Sequence, residues 1–291
     1  MIPKGKLIPI GGAEDKGTDE ETGFQRPQNL HFFELQILSH VRKEISKAEA
    51  RVEVITTASG IPEEVGENYL SAFAKIGDTN VGLMHIRDRD DVRDPAYIER
   101  IRKADGVMFT GGNQMRLTQV FGGSEILEIL HERYMNEEGF VIAGTSAGAM
   151  AMSANMIYKG AGSEALIKGE VGMTTGLGFV RDIIIDSHFV KRGRFGRLAT
   201  AVAGNPSQLG LGLGEDTGVL ILNGHQIKTI GSGLVIIFDG HDIRYNNIAD
   251  VAEHTPISIE NMRVHVLAKG MSYDTRTRKF IGLPVKPEPA E

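Results

Sequence analysis

The chain has 291 residues, 41% of them hydrophobic, enough to bury the core of one large α/β domain and too many for a disordered chain. With 32 basic and 38 acidic residues the formal net charge is −6, which excludes general nucleic-acid binding, because phosphate recognition needs a basic surface. The absence of cysteine excludes disulfides, cysteine-ligated zinc, iron–sulfur clusters and a thiol nucleophile.

The chain opens MIPKGKLIPIGGAEDKG, an apolar stretch too short for a signal peptide or a membrane span. No other window approaches about 18 consecutive apolar residues, so a soluble, cytoplasmic protein without a membrane partner is expected. Leu7 to Ile10 reads as a strand ended by Gly11-Gly12. Leu30, Phe33, Ile37, Val41 and Ile45 recur at helical spacing and predict one buried helix face. Val52 to Ile55 is a strand, Pro62 opens a helix running to Lys75, and Val81 to Ile86 is a strand. Pro95 to Lys103 is helical, Gly106 to Thr110 is a strand, Ile126 to Tyr134 is helical and Phe140 to Ala143 is a strand. Repeated βα units predict a mainly parallel sheet with helices on both faces, whose ligands gather at the C-terminal ends of the strands. Further on, Asn223-Gly224 between apolar runs predicts a hairpin, with antiparallel strands extending the sheet edge in the C-terminal part. One domain is expected over 1–291, with its core at about 6–270 and residues 284–291 a loose tail.

Residues 139–152, GFVIAGTSAGAMAM, place Gly144-Thr145-Ser146-Ala147-Gly148 between a strand and a helix-forming run. A serine at a sharp strand–turn–helix junction, with small neighbours, is a nucleophile elbow, and the amides that follow face a developing oxyanion. The bare pentapeptide would equally suit a glycine turn with an N-capping serine; the strand before and helix after favour the nucleophile.

Of nine histidines, His188 follows a clear strand, Ile183 to Ile185, within Asp186-Ser187-His188. His31, His40, His131 and His225 fit structural or solvent roles better. A general base needs a carboxylate to fix its tautomer, and Glu215, at the end of the alternating run Leu209 to Gly214, is the choice, with Asp216 and Asp186 as rivals. The alternating glycines suggest a strand that other backbone approaches closely. The order Ser146, His188, Glu215 departs from the serine–acid–histidine order of ordinary α/β-hydrolases. Gly111-Gly112-Asn113-Gln114 follows a strand, so the amide of Gly112 or Asn113 could join that of Ala147 as an oxyanion donor and Gln114 could bind substrate; the alternative is a glycine turn with Asn113 capping a helix. Arg192, Arg194 and Arg197 lie just beyond His188 and suit a substrate rich in carboxylates, although a solvated basic turn, or a surface pairing with the many acidic residues, would look the same. No H-E-x-x-H motif or Walker A loop is present, so neither metal nor organic cofactor is expected.

Together GGNQ at 111–114, GTSAGA at 144–149, DSHF at 186–189, RGRFGRL at 192–198 and GLGLGEDTG at 210–218 resemble the cyanophycinase branch of the S51 serine peptidases, over approximately residues 6 to 240. The resemblance implies a class I glutamine amidotransferase-like, flavodoxin-like three-layer sandwich, with Ser146 attacking, His188 shuttling the proton and Glu215 orienting it. It places Gln114, Asp186, Ser187, Arg192, Arg194 and Arg197 in the substrate pocket; Ser187 stands where the family is expected to carry glutamine. The implied substrate is cyanophycin, poly-aspartate with arginine on each β-carboxyl, cut to β-aspartyl-arginine by a homodimer. An aspartyl dipeptidase of the same superfamily is the nearest alternative, and an inactive binding protein on the same fold is one of a different class.

Overall fold

The protein is described by a computed structural model covering residues 2–13, 36–45, 47–78, 80–160, 162 and 164–282. In the first half, strands and helices alternate: β1 (Lys6–Ile10), α1 (Gln36–Glu44), β2 (Val52–Ile55), α2 (Pro62–Lys75), β3 (Val81–Met84), α3 (Pro95–Lys103), β4 (Gly106–Phe109), α4 (Gln114–Phe121), α5 (Glu125–Asn136), β5 (Val141–Thr145) and α6 (Ala147–Ala151). The second half is richer in strand: β6 (Asn155–Lys159), β7 (Gly172–Thr175), β8 (Ile183–Asp186), α7 (Phe195–Gly204), β9 (Leu209–Leu213), β10 (Thr217–Leu222), β11 (Gln226–Gly231), β12 (Val235–Asp239), β13 (Tyr245–Asn246), β14 (Ile259–Glu260), β15 (Arg263–Leu267), β16 (Ser272–Asp274) and β17 (Lys279–Ile281). Leu30, Phe33 and His31 of the expected first helix, and the expected tail, lie outside the described residues.

Local chemistry sets the helix starts. Asp94 accepts from the Ala96 amide with Pro95 at the first helical position of α3, and Ser124 accepts from the Leu127 amide at the start of α5. Strand residues alternate between two cores. Ile8, Ile10, Val54, Met108, Val141 and Ala143 face α1 and α2. Leu7, Ile55, Val107, Phe109 and Ile142 face the layer holding α3, α4, α5 and α6. Fully burying each of the larger of these side chains stabilises the fold by about 1.5–3 kcal/mol. The result is a flavodoxin-like α/β sandwich.

The nine-stranded sheet runs β17-β16-β11-β10-β1-β5-β4-β2-β3. Its β1, β5, β4, β2 and β3 are mutually parallel, and β10, β11, β16 and β17 extend one edge antiparallel, as the Asn223-Gly224 hairpin foretold. Both turn residues have positive φ, 55° and 72°. Other strands of the C-terminal part lie apart from this edge. β8, β9, β12 and β15 form a separate four-stranded sheet, with β8 and β9 parallel. Along the run from Leu209 to Gly214, side chains approach Gly212 (the Phe189 ring) and Gly210 (Leu198), and other backbone comes close at Gly214, where a Cβ would lie 3.0 Å from the Leu234 carbonyl oxygen.

Candidate active site

Three adjacent parallel strands of the large sheet end at one place. β1 runs out into Gly11-Gly12, β4 into Gly111-Gly112 and β5 into Ser146. Two adjacent parallel strands of the small sheet end beside them, β8 leading to His188 and β9 to Glu215. Glu215 sits where the chain leaves the small sheet for β10 of the large one. The site is therefore assembled at the C-terminal strand ends of both sheets, where open α/β folds bind ligands.

Ser146 has φ 49° and ψ −107°, a conformation that L-residues rarely adopt and that costs on the order of 1–3 kcal/mol. Helix α6 follows with only five residues, so its contribution is oriented amides rather than a long dipole. Ser146 Oγ lies 3.1 Å from His188 Nε2, and His188 Nδ1 lies 2.8 Å from Glu215 Oε1. That second contact sets the tautomer, with the proton on Nδ1 donated to the carboxylate and Nε2 left to accept from the serine. Burial lowers the His188 pKa below the ordinary 6.5, opposed by the Glu215 hydrogen bond and reinforced by the charge of Arg192. The imidazole is thus neutral at neutral pH and able to take a proton. Lys191 Nζ stands 3.7 Å from Glu215 Oε2. Asp216, the rival acid, is buried and accepts from Ser232 Oγ at 2.5 Å.

Sequence reasoning missed what holds these groups. Three successive carbonyls at the end of β1 each accept one amide: Ile10 from Ser146 (2.9 Å), Gly11 from His188 (2.7 Å) and Gly12 from Asp216 (3.0 Å). Gly12, at φ 100°, lies against the imidazole, and a Cβ there would overlap the ring. The only signal was the Gly-Gly pair closing the first strand.

Several residues assigned to substrate have other tasks. Asp186 is fully buried; Arg197 Nε donates to it at 2.9 Å, the second guanidinium nitrogen of Arg197 also bonds it, and Arg194 Nη1 lies 3.2 Å away. Arg194 also donates to the Ser187 carbonyl at 2.8 Å. Burial lowers the Arg194 pKa to about 10, so it stays charged at neutral pH. Ser187 is buried, its hydroxyl 3.3 Å from Met150 Sδ. These four groups form a support beneath His188, whose own φ is 47°, instead of an open pocket wall. Arg192 is exposed near the triad.

Asn113 also departs from expectation. Its amide donates to the Ala58 carbonyl at 2.9 Å, so it is committed, and its side chain caps α4 by accepting from the Met115 amide. Gly112 has φ 137°, and a Cβ there would collide with the same carbonyl, which fixes the turn beside Ser146. A Cβ on Gly111 would lie 3.4 Å from that of Ser146. Gln114 is half-buried and donates to the Ile157 carbonyl at 3.1 Å, which leaves its oxygen as the part able to meet a ligand. Of the other histidines, His131 donates to the Leu177 carbonyl at 2.8 Å and His225 lies 3.2 Å from Asp274.

The arrangement suits serine acyl transfer: a half-buried turn oxygen, a neutral imidazole beside it and a carboxylate behind. The profile of peptidase family S51 matches residues 28–230. A cyanophycinase of Geminocystis herdmanii is 32% identical over 276 residues, covering 95% of this chain and 96% of its own. One of Trichormus variabilis is 33% identical over 267 residues, covering 92% of this chain and 84% of its own. The crystal structure of a peptidase from an acI-B1 actinobacterium superposes with a TM-score of 0.64 over 94% of this chain and 97% of that one, and at 17% identity it speaks for the fold. The strand-end serine, the profile and these identities converge, and the chain belongs to peptidase family S51.

Proposed function

We propose that this protein is a serine-type exopeptidase that degrades cyanophycin to β-aspartyl-arginine, working as one hydrolytic domain. The observation that carries the reading is the continuous contact chain from Ser146 Oγ through His188 to Glu215, in a chain about one third identical to cyanophycinases over nearly its whole length.

Ser146 Oγ attacks the carbonyl carbon of a backbone Asp–Asp bond as His188 Nε2 takes the hydroxyl proton. The imidazolium is stabilised by Glu215, already 2.8 Å from Nδ1. The oxyanion sits between the amides of Ala147 and Gly112. His188 then protonates the leaving amine, and water, deprotonated by the same nitrogen, releases the dipeptide from the acyl-enzyme. Arg192 is the exposed guanidinium able to hold a free carboxylate of the substrate. In this reading the Gln114 oxygen accepts from substrate, its amide nitrogen being bonded to the Ile157 carbonyl, and no metal or organic cofactor takes part.

Cytoplasmic action and a homodimer complete the proposal; light scattering of the purified protein tests the second. The substrate is tested by offering insoluble cyanophycin and short α-aspartyl dipeptides in parallel. Dipeptide release from the polymer is expected, with little turnover of the short peptides. The reverse preference would replace the reading with an aspartyl dipeptidase.

A further inference from the structure

Ser146 ends β5, and the row of parallel strand ends continues on both of its sides. On one side is β1, whose Gly11 carbonyl holds the His188 amide. On the other are β4 and then β2. The chain leaves β2 and β4 toward opposite faces of the sheet. Helix α2 packs Tyr69, Ala72 and Phe73 into one core, and α4 packs Leu117, Val120 and Phe121 into the other. Such a divergence opens a crevice at the strand ends, where open α/β sheets take ligands. Neighbouring strands lie about 4.8 Å apart, so the end of β2 stands roughly 10 Å from Ser146, on the side away from His188 and Arg192.

Arg116, in the first turn of α4, reaches across this crevice. Its Nε donates to the carbonyl of Thr57, just past the end of β2, at 3.0 Å. That bond holds the guanidinium at the strand ends, beside the turn of Gly112 and Asn113. Arg116 is half-buried, and among the described residues its two terminal nitrogens hold no hydrogen bond and no ion pair. The turn after β2 does not need Arg116 to hold it. The Asn113 amide donates to the Ala58 carbonyl at 2.9 Å, the Ser59 amide to the Thr56 carbonyl at 2.9 Å, and Arg87 Nη1 to the Ser59 carbonyl at 3.0 Å. Arg194 and Arg197, by contrast, spend their charge on Asp186. A guanidinium fixed through Nε, with both terminal nitrogens open, presents a preorganised fork that matches the two oxygens of a carboxylate.

We propose that Arg116 is a second carboxylate-binding residue of the active site, holding an arginine carboxylate of the substrate on the opposite side of Ser146 from Arg192. This role rests on the cyanophycin reading. Adjacent aspartyl units are about 3.5 Å apart along an extended backbone. The branch from that backbone to the arginine carboxylate is longer, so roughly 10 Å is within reach of a unit beside the bond that is cut. Branched units are then read on both sides of that bond. A short α-aspartyl peptide has no arginine branch and forgoes the contact.

The test is isothermal titration calorimetry of the full-length Ser146→Ala protein with a short synthetic cyanophycin segment, and with the same segment carrying primary amides in place of its arginine carboxylates. Adding Arg116→Met, which keeps the aliphatic stem, should weaken binding of the acid segment about tenfold and that of the amide segment less than about twofold. A residue that only shaped the turn would weaken both segments alike, so the amide segment is the control for folding. Equal weakening of the two segments, no weakening of the acid segment, or no saturable heat with it at millimolar concentration would overturn the proposal. Hydrolysis of the acid segment by the wild-type protein, followed by mass spectrometry, reports separately on the peptidase reading. Release of β-aspartyl-arginine together with equal weakening would keep that reading and remove Arg116 from it. Selective weakening without hydrolysis would keep the carboxylate site and end the peptidase reading.

Discussion

The amide of His188 donates to the carbonyl of Gly11 at 2.7 Å, tying the base to the strand end that also receives the amide of Ser146. Nucleophile and base come from different sheets, and this short backbone segment sets their distance. Gly12 completes the arrangement by lying flat against the imidazole. Gly12→Ala should push the ring away from Ser146 and reduce kcat by about 100-fold, the cost of a misplacement on the order of 1 Å. KM should change far less, and the urea midpoint should fall only by the amount that backbone strain at this positive φ costs, on the order of 1–3 kcal/mol. Turnover on cyanophycin beside a denaturation curve measures both, and a wild-type kcat would sink the idea.

Glu215→Gln keeps the shape and removes the charge that stabilises the imidazolium. It also permits the wrong tautomer of His188. In a triad this costs about 10⁴ in kcat. Steady-state kinetics check it, and a loss below tenfold would hand the orienting role to another acid.

The arginines should separate into two groups. Asp186→Asn leaves the buried guanidinium of Arg197 and the half-buried one of Arg194 without their anion, and breaking such a cluster costs about 3–5 kcal/mol of stability. Arg192→Ala should leave stability unchanged and raise KM about tenfold, the loss expected for one charged hydrogen bond to substrate. Urea melts and Michaelis kinetics distinguish them. Equal stabilities for the two variants would contradict the supporting role of Asp186.

The base must be neutral to accept a proton, so kcat/KM should be constant at neutral pH and fall as acid protonates His188. Because burial lowers its pKa, the acid limb should have its midpoint below 6.5. Arg192 also lowers that pKa, so Arg192→Ala should move the limb upward, toward neutrality. A pH–rate profile of both proteins tests the sign; a shift to lower pH in the variant is the contrary result.

The elbow was legible because its signal is local: a strand, a serine between small residues and a helix-forming run, all within 14 residues. The places of His188 and Glu215 were legible because each follows an apolar strand. The sheet that β8 and β9 join was not, because partner choice is non-local and an apolar strand reads alike in either sheet. The arginine run read as an open basic site for a similar reason. Nothing near Arg197 in sequence announces that Asp186, 11 residues earlier, faces it inside the core. The Asn113 amide was equally opaque, since its acceptor, Ala58, comes from the turn after a different strand.

The central claim is that Ser146 is the nucleophile that cuts cyanophycin. Its most direct test is incubation of the wild-type protein and of Ser146→Ala with insoluble cyanophycin, followed by mass spectrometry of the soluble products. Release of β-aspartyl-arginine by the wild type and none above background by the variant is the predicted result. Equal release by both proteins, or an intact polymer with the wild type, would contradict the account.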